Sequence, residues 1–500
     1  MHLNSFGKTA SKLIAIFFLG LFVAAQVTFS PFIDNSIESF LRSSVGLELP
    51  HELKMIPFKS VLIFWLLILS LFILRRFIRT GIVWLFERKE KVFVTFLLLS
   101  TQFMALTPGR LEINDFALLA VVFLWFPYIV LNKEYKIIWS PRYTLLLLFL
   151  LSVFLSVFIG GRQSANRLPG NIKNVAFFFL LVNIIRERET AISSLKIFLS
   201  ITTFSAIIGV LQEIIYLLTG VVIVGFVQER AKQYMWESTP LGNLIRVPAL
   251  TGWYVILANV ILIALVIGVN LILYSVITKE RERLFFYIAM LIMAVALFLT
   301  FSHSTILVLL LAIIVSILIR WRSLSIHFVT IFLVVILIAY FSGFLTDFAE
   351  QPKRYIMTED VSTRLELLRD GIAGFFNRHP FIGNGIGKGR GYTSNIDGWP
   401  VHNNIVLVAD ELGLLGILIY GSLFFVLIYR QAVFVLKLKN KRDKAISLSV
   451  FIGLIFYLTN LLAQAQDIDI FIFTYFGLTE AIIRSLSHPV TLESSAQPYV

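Results

Sequence analysis

The sequence predicts an all-α membrane protein: a polytopic bundle of about 12–14 transmembrane helices with one large extracytoplasmic loop. Three observations carry that prediction. The chain has 500 residues, of which 58% are hydrophobic, where a soluble domain holds about 45–50%, and its mean hydropathy is +0.86. Apolar runs of roughly 18 residues or more, the length a helix needs to cross a bilayer, recur along it. Its lysines and arginines gather in alternate connections between those runs, as they do in proteins threaded back and forth through a membrane.

The runs place about fourteen spans at 12–31, 59–77, 91–107, 114–131, 142–160, 171–185, 194–219, 250–276, 284–301, 304–320, 324–343, 411–429, 445–463 and 467–484. The first follows Lys8 and Lys12. Its apolar run, "LIAIFFLGLFVAAQVTFSPF", is about twenty residues, longer than the roughly 7–15 of a signal-peptide core. It reads as an uncleaved helix, with a cleaved signal as the alternative. The sixth span is short, and the pair between 284 and 320 divides in more than one way, so twelve or thirteen spans also fit.

Orientation follows from the positive residues. With the N-terminus in the cytoplasm, 26 of the 43 lysines and arginines fall inside, including those of "RRFIR" and "ERKEK". Of the 17 outside, seven lie in one long loop that hardly bears on orientation, leaving 26 against 10. Both termini are therefore expected in the cytoplasm. The net charge of +13 is then mostly membrane anchoring, and no separate basic face remains of the kind a nucleic-acid partner requires. The expected division is a transmembrane bundle over 1–343, an extracytoplasmic loop over 344–410, transmembrane helices over 411–484, and a cytoplasmic tail over 485–500 that reads as a disordered end.

There is no cysteine, which excludes disulfides and thiolate metal sites. No repeat period stands out, and the two halves do not match. Paired halves and charges near the membrane centre would favour a transporter or flippase. Here the expected spans are mostly uncharged at their centres and polar residues gather at the outer ends.

The hydrophilic insert contains "NRHPFIGNGIGKGRGYTSNIDGWPVHNNIVLVADELGLLG" (377–416). "GNGIGKG" superficially resembles a phosphate loop, but such loops follow a strand, open a helix and face the cytosol. Outside the membrane, Gly383, Gly385 and Gly387 either belong to a flexible loop or let the backbone turn tightly and approach something closely. Upstream, "EDVSTRLELLRDGIAGFFN" spaces Val361, Leu365, Leu368, Ile372 and Phe375 along one helical face. Ser362 or Thr363 is placed to cap that helix, and Pro380 to end it. An amphipathic helix over the outer face of the bundle is expected.

Several outer residues have two readings each. Arg162, Arg167 and Arg246 stand against the positive-inside pattern near expected helix ends. They either snorkel to lipid headgroups or converge on an anion, since guanidinium forks suit phosphate and diphosphate. His303 in "FLTFSHSTILVLL" is either a hydrogen-bonded packing residue or part of a site. His402 is either a solvated loop histidine or a general base, the role for which its near-neutral pKa suits it. No tight ligand spacing supports a metal, and "DID" at 467–469 reads as a helix boundary. No cofactor is expected.

The layout resembles the O-antigen ligase and O-antigen polymerase family of bacterial envelope enzymes. The resemblance rests on a late large loop with an amphipathic helix, then His379-Pro380 with Gly383, Gly385 and Gly387, then His402-Asn403 leading to Glu411, Gly413 and Gly416. It extends more loosely to "RVPALTGWYVILAN" and "LTFSHSTILVLLLA", where Ser302-His303 stands in place of the family's Ser-Arg. The resemblance implies a GT-C-like fold in the bacterial inner membrane and an inverting, metal-independent glycosyl transfer on the outer leaflet. The implied donor is an undecaprenyl-diphosphate-linked oligosaccharide. His402 would take the acceptor hydroxyl's proton, and arginines such as Arg246 would hold the diphosphate. Arg162, Arg167, His303, Asn403 and Glu411 complete the expected substrate-binding set. A glycan acceptor, membrane lipids, a flippase and a chain-length regulator are the expected partners. A polymerase of repeat units is the first reading and a ligase the second. They differ in acceptor, and no residue reads it.

Overall fold

Away from water a chain must pair its backbone groups internally, and a helix does so within one segment. The computed structural model describes residues 89–102, 113–131, 136–219, 236–239, 242–320, 358–388, 403–462 and 470–487. The expected spans 12–31, 59–77 and 324–343, the turn 467–469, His402 and the tail from 488 on lie outside the described residues, while 485–487 of the expected tail continue the last helix. Helices α1 (Lys89–Gln102), α2 (Ile113–Leu131), α3 (Thr144–Ala165), α4 (Leu168–Ile184) and α5 (Arg188–Thr219) come first. A hairpin of β1 (Trp236–Thr239) and β2 (Gly242–Ile245) follows. Then come α6 (Tyr254–Leu273), α7 (Glu280–Leu299), α8 (His303–Arg320) and α9 (Thr358–Asn377). The last three are α10 (Asn404–Lys437), α11 (Lys441–Leu461) and α12 (Ile470–Ser487).

Eight of these helices (α3, α5, α6, α7, α8, α10, α11 and α12) are long and apolar enough to cross a membrane. The protein is a multi-pass all-α membrane protein. The antiparallel β1–β2 ribbon, with Trp236 opposite Ile245, is a small local exception that helical periodicity did not announce. The ambiguous 284–320 pair resolves into α7 and α8, separated by a tight turn in which Phe301 takes φ 51°.

Helices α6 and α12 are the most enclosed. Helix α12 packs on α4 and α6 on α11, while α3 lies along α10 and α7 along α5. The interior is mainly Leu, Ile, Val and Phe, with Tyr457 and Tyr475 fully buried. Polar pairs also cross the bundle: Asn270 Nδ2 donates to Ser316 Oγ at 2.9 Å, and Gln431 Nε2 to Ser447 Oγ at 3.0 Å. Interhelical bonds of this kind hold helices together where the apolar faces alone do not choose a partner. Arg430 pairs with the buried Glu480, which also accepts from Tyr143 Oη at 3.3 Å, and Arg188 pairs with Asp443 at 2.6 Å. Arg188 and Asp443 open α5 and α11 and Arg430 stands near the end of α10, which sets these pairs at the end of the bundle opposite the Gly-rich loop. Both arginines belong to the set that the positive-inside count groups at one end of the spans.

Two boundaries and one packing face differ from the expectation. Helix α10 begins at Asn404, because Asn403 caps it by accepting Val406 N–H at 3.1 Å. Helix α9 begins at Thr358, so Ser362 and Thr363 lie inside it instead of at its N-cap. Its packing face is also rotated: Leu367 and Gly371 are buried, whereas of the expected stripe Ile372 is 43% exposed and Leu368 and Phe375 are only half-buried. The reason is steric. Helix α9 meets α10 through glycine, and a Cβ at Gly374 would come 2.7 Å from Asp410 Oδ1. A leucine stripe cannot make that approach.

Candidate functional site

The Gly-rich loop following α9 is a wedge between two broken helices. Helix α10 breaks at Gly413, with φ 68° and ψ −165°, and α3 breaks at Gly161, with φ 62° and ψ −145°. In an unbroken α10 the N–H groups of Leu414 and Leu415 would bond to the carbonyls of Asp410 and Glu411. The loop replaces both bonds. Leu414 N–H donates to Pro380 O at 2.7 Å and Leu415 N–H to Phe381 O at 3.2 Å. Asp410 O accepts from Asn384 N–H at 2.8 Å and Glu411 O from Gly385 N–H at 3.0 Å. Asn384 Nδ2 also donates to Asp410 Oδ1 at 2.5 Å. Buried backbone groups need partners, so break and loop depend on each other.

The glycines permit the approach. Gly383, Gly385 and Gly387 have φ 82°, 106° and 81°. A Cβ at Gly383 would lie 2.3 Å from Glu411 C and O, and one at Gly385 2.4 Å from Gly160 Cα. On its other side the loop is pinned to α3: Ser164 Oγ donates to Ile386 O at 2.8 Å, Gln163 Nε2 to Gly387 O at 3.1 Å, and Ile386 N–H to Ser156 Oγ at 3.3 Å.

This pinning brings the turn between α3 and α4 to the loop. Arg162 follows the α3 break directly and is exposed. Arg167 is the N-cap residue of α4 and lies beside the last loop glycine, its Cγ 3.1 Å and Nε 3.3 Å from where a Gly387 Cβ would stand. Glu411 is buried, and its carbonyl serves the loop.

Arg246 sits elsewhere, after β2. Its guanidinium donates to Tyr254 Oη at 3.2 Å and lies over the tyrosine ring, 5.2 Å from the centroid. The backbone around it is fastened at three points. Ile245 N–H donates to Glu213 Oε2 at 3.1 Å, Val247 N–H to Leu299 O at 3.1 Å, and Ala249 N–H to Gln212 Oε1 at 3.0 Å. The bond to Leu299 ties this segment to the end of α7, four residues before His303. His303 is the exposed first residue of α8.

Beneath that turn lies a buried amide and hydroxyl network. Asn460 Nδ2 donates to Asn259 Oδ1 and, at 3.0 Å, to Thr305 Oγ1; Thr305 Oγ1 is in turn 2.7 Å from Ser302 Oγ. Asn403 Nδ2 donates to Leu462 O at 3.2 Å, two residues past Asn460. The structure thus forms two groups of the expected residues at one end of the bundle. Arg162, Arg167, the glycines and Glu411 meet around the wedge. Arg246 and His303 lie on segments joined by the Val247–Leu299 bond, and Asn403 is tied to the end of α11. Sequence reasoning missed Gln212, Glu213, Tyr254, Thr305 and Asn460. A Gln-Glu pair near the end of an apolar run was the one visible signal.

A bundle of membrane-crossing helices whose Gly-rich loop inserts between two helix breaks, with arginines at the same end, defines a multi-pass membrane protein with a polar loop packed into one end. Residues 288–421 match the family model described as O-antigen ligase, which supports the assignment of this chain to the O-antigen ligase and polymerase family. The match takes in His303, α9, the wedge, Asn403 and Glu411, while Arg162, Arg167 and Arg246 fall outside it. No curated protein matches the chain.

Proposed function

We propose that this protein is a glycosyltransferase that joins undecaprenyl-diphosphate-linked oligosaccharide repeat units into a surface polysaccharide on the extracytoplasmic face of the inner membrane. The observation that carries the reading is the coincidence of the family match with the wedge. The matched segment supplies the loop and the broken α10, and its contacts with α3 bring Arg162 and Arg167 to the same end of the bundle. The positive-inside distribution of Lys and Arg supports an extracytoplasmic position for that end. Nucleotide sugars are cytoplasmic, so a lipid-linked donor fits that location.

The chemistry is a single displacement. His402 accepts the proton of the acceptor hydroxyl, and the freed oxygen attacks the anomeric carbon of the donor. The bond to undecaprenyl diphosphate breaks with inversion, and arginine side chains hold the charge that develops on the diphosphate. A diphosphate leaves readily once that charge is balanced, so base, anion stabilisation and positioning suffice, without a metal.

The description of the matching family favours a second reading, transfer of a finished glycan to a lipid core or other acceptor. Deleting the gene separates the two. Single repeat units on the final acceptor identify a polymerase, and long chains stranded on undecaprenyl diphosphate identify a ligase. Failure of the purified full chain to turn over any undecaprenyl-diphosphate-linked oligosaccharide would refute both.

A further inference from the structure

Gln212 and Glu213 are consecutive residues near the end of α5, each almost wholly buried. A carboxylate on a membrane-crossing helix is costly to keep and calls for a specific use. Glu213 Oε2 accepts from Ile245 N–H, and Gln212 Oε1 accepts from Ala249 N–H. These two bonds bracket Arg246, and the bond from Val247 N–H to Leu299 O closes the gap between them. Pro248 has no N–H to offer.

Burial completes the pattern. Ile245, Val247 and Ala249 are fully buried beside the clamp, while Arg246 between them is half-buried and turned to Tyr254. A segment held on both flanks loses little freedom when its arginine takes up a charged ligand. That is how a remote group raises affinity without touching the ligand.

We infer that Gln212 and Glu213 are positioning residues that present Arg246 to the diphosphate of the lipid donor. The inference rests on the anion-binding reading of Arg246 given above, and it adds a polar clamp on a helix outside the matched segment.

The test is a binding cycle on the purified full chain in lipid nanodiscs, with undecaprenyl diphosphate as the probe. Arg246→Ala should weaken binding by about tenfold, the loss of roughly one good charge-assisted contact. Glu213→Leu and Gln212→Leu should each weaken it about three- to tenfold, and Glu213→Gln, which keeps an acceptor oxygen for Ile245 N–H, should restore it. In an Arg246→Ala background, Glu213→Leu should produce no further loss, because what the clamp positions is already gone. The unfolding midpoint of each variant is recorded alongside. An equal loss from Glu213→Leu with and without Arg246, or a lowered midpoint with unchanged affinity, would make the pair merely structural and overturn the inference. Unchanged binding in Arg246→Ala itself would remove the reading of Arg246 on which the clamp depends. The two failures are therefore told apart.

Discussion

Replacing Gly383 with alanine tests the wedge directly. The residue has φ 82°, and an added Cβ would stand 2.3 Å from the carbonyl carbon and oxygen of Glu411. Left-handed backbone costs a non-glycine residue about 1–2 kcal/mol. The overlap with Glu411 cannot be relieved by turning a side chain, because the opposing atoms are backbone. The loop must withdraw, and four backbone bonds go with it: those to Asp410 O and Glu411 O and those from Leu414 and Leu415 N–H. At about 1 kcal/mol net for each, the full loss is on the order of 5 kcal/mol. If α10 closes its own break after the loop leaves, it regains two bonds, and the loss falls to about 3 kcal/mol. The assay is thermal unfolding of the purified full chain, run beside Gly421→Ala. Gly421 lies within α10 with nothing near its added Cβ, so that control should be neutral or slightly stabilising. Gly383→Ala should unfold at a clearly lower temperature and lose glycan transfer. Equal midpoints for the two variants would refute the mutual dependence of loop and break.

Other outcomes follow from the same structure. His402→Ala should abolish transfer while leaving folded protein at its normal level in the membrane; full activity would remove the base from the mechanism. Asn460→Leu removes the donors to Asn259 and Thr305 and should cost about 1–2 kcal/mol of bundle stability, read as the unfolding midpoint against Thr459→Leu on the exposed side of the same helix. Arg430→Ala leaves Glu480 buried without the guanidinium it pairs with and should destabilise by about 3 kcal/mol; the double change Arg430→Ala with Glu480→Gln should recover part of the loss, and an additive result would show that the ion pair is not the cause.

The membrane class, the helical architecture and most span positions were readable from the chain because hydropathy is a local property. A run of apolar residues has few structures open to it in a bilayer, and its length nearly sets its ends. Even there the capping chemistry was decisive at α10, which starts at Asn404 on the Asn403 cap and not at the first uninterrupted apolar stretch. At α9 the periodic pattern located a helix but misassigned its packing face, because the neighbour it meets asks for glycine instead of leucine. The site was readable as residue types and not as a place. Arg162, Arg167, Arg246 and His303 could be singled out as odd for their positions, yet nothing in their spacing separates them into two groups.

What the sequence determined by itself is therefore the class of protein, the order of its helices and the presence of a Gly-rich segment before α10. What only the tertiary structure decided is the use of that segment. The breaks at Gly161 and Gly413 lie at the margins of the expected spans 142–160 and 411–429, inside helices that run on past them. They exist because residues 380–385 supply the hydrogen bonds that α10 gives up some thirty positions later, and because Ser156, Gln163 and Ser164 hold the loop from the other side. Hydrogen-bond partners exchanged between distant segments leave no periodic trace, whereas burial along a helix does.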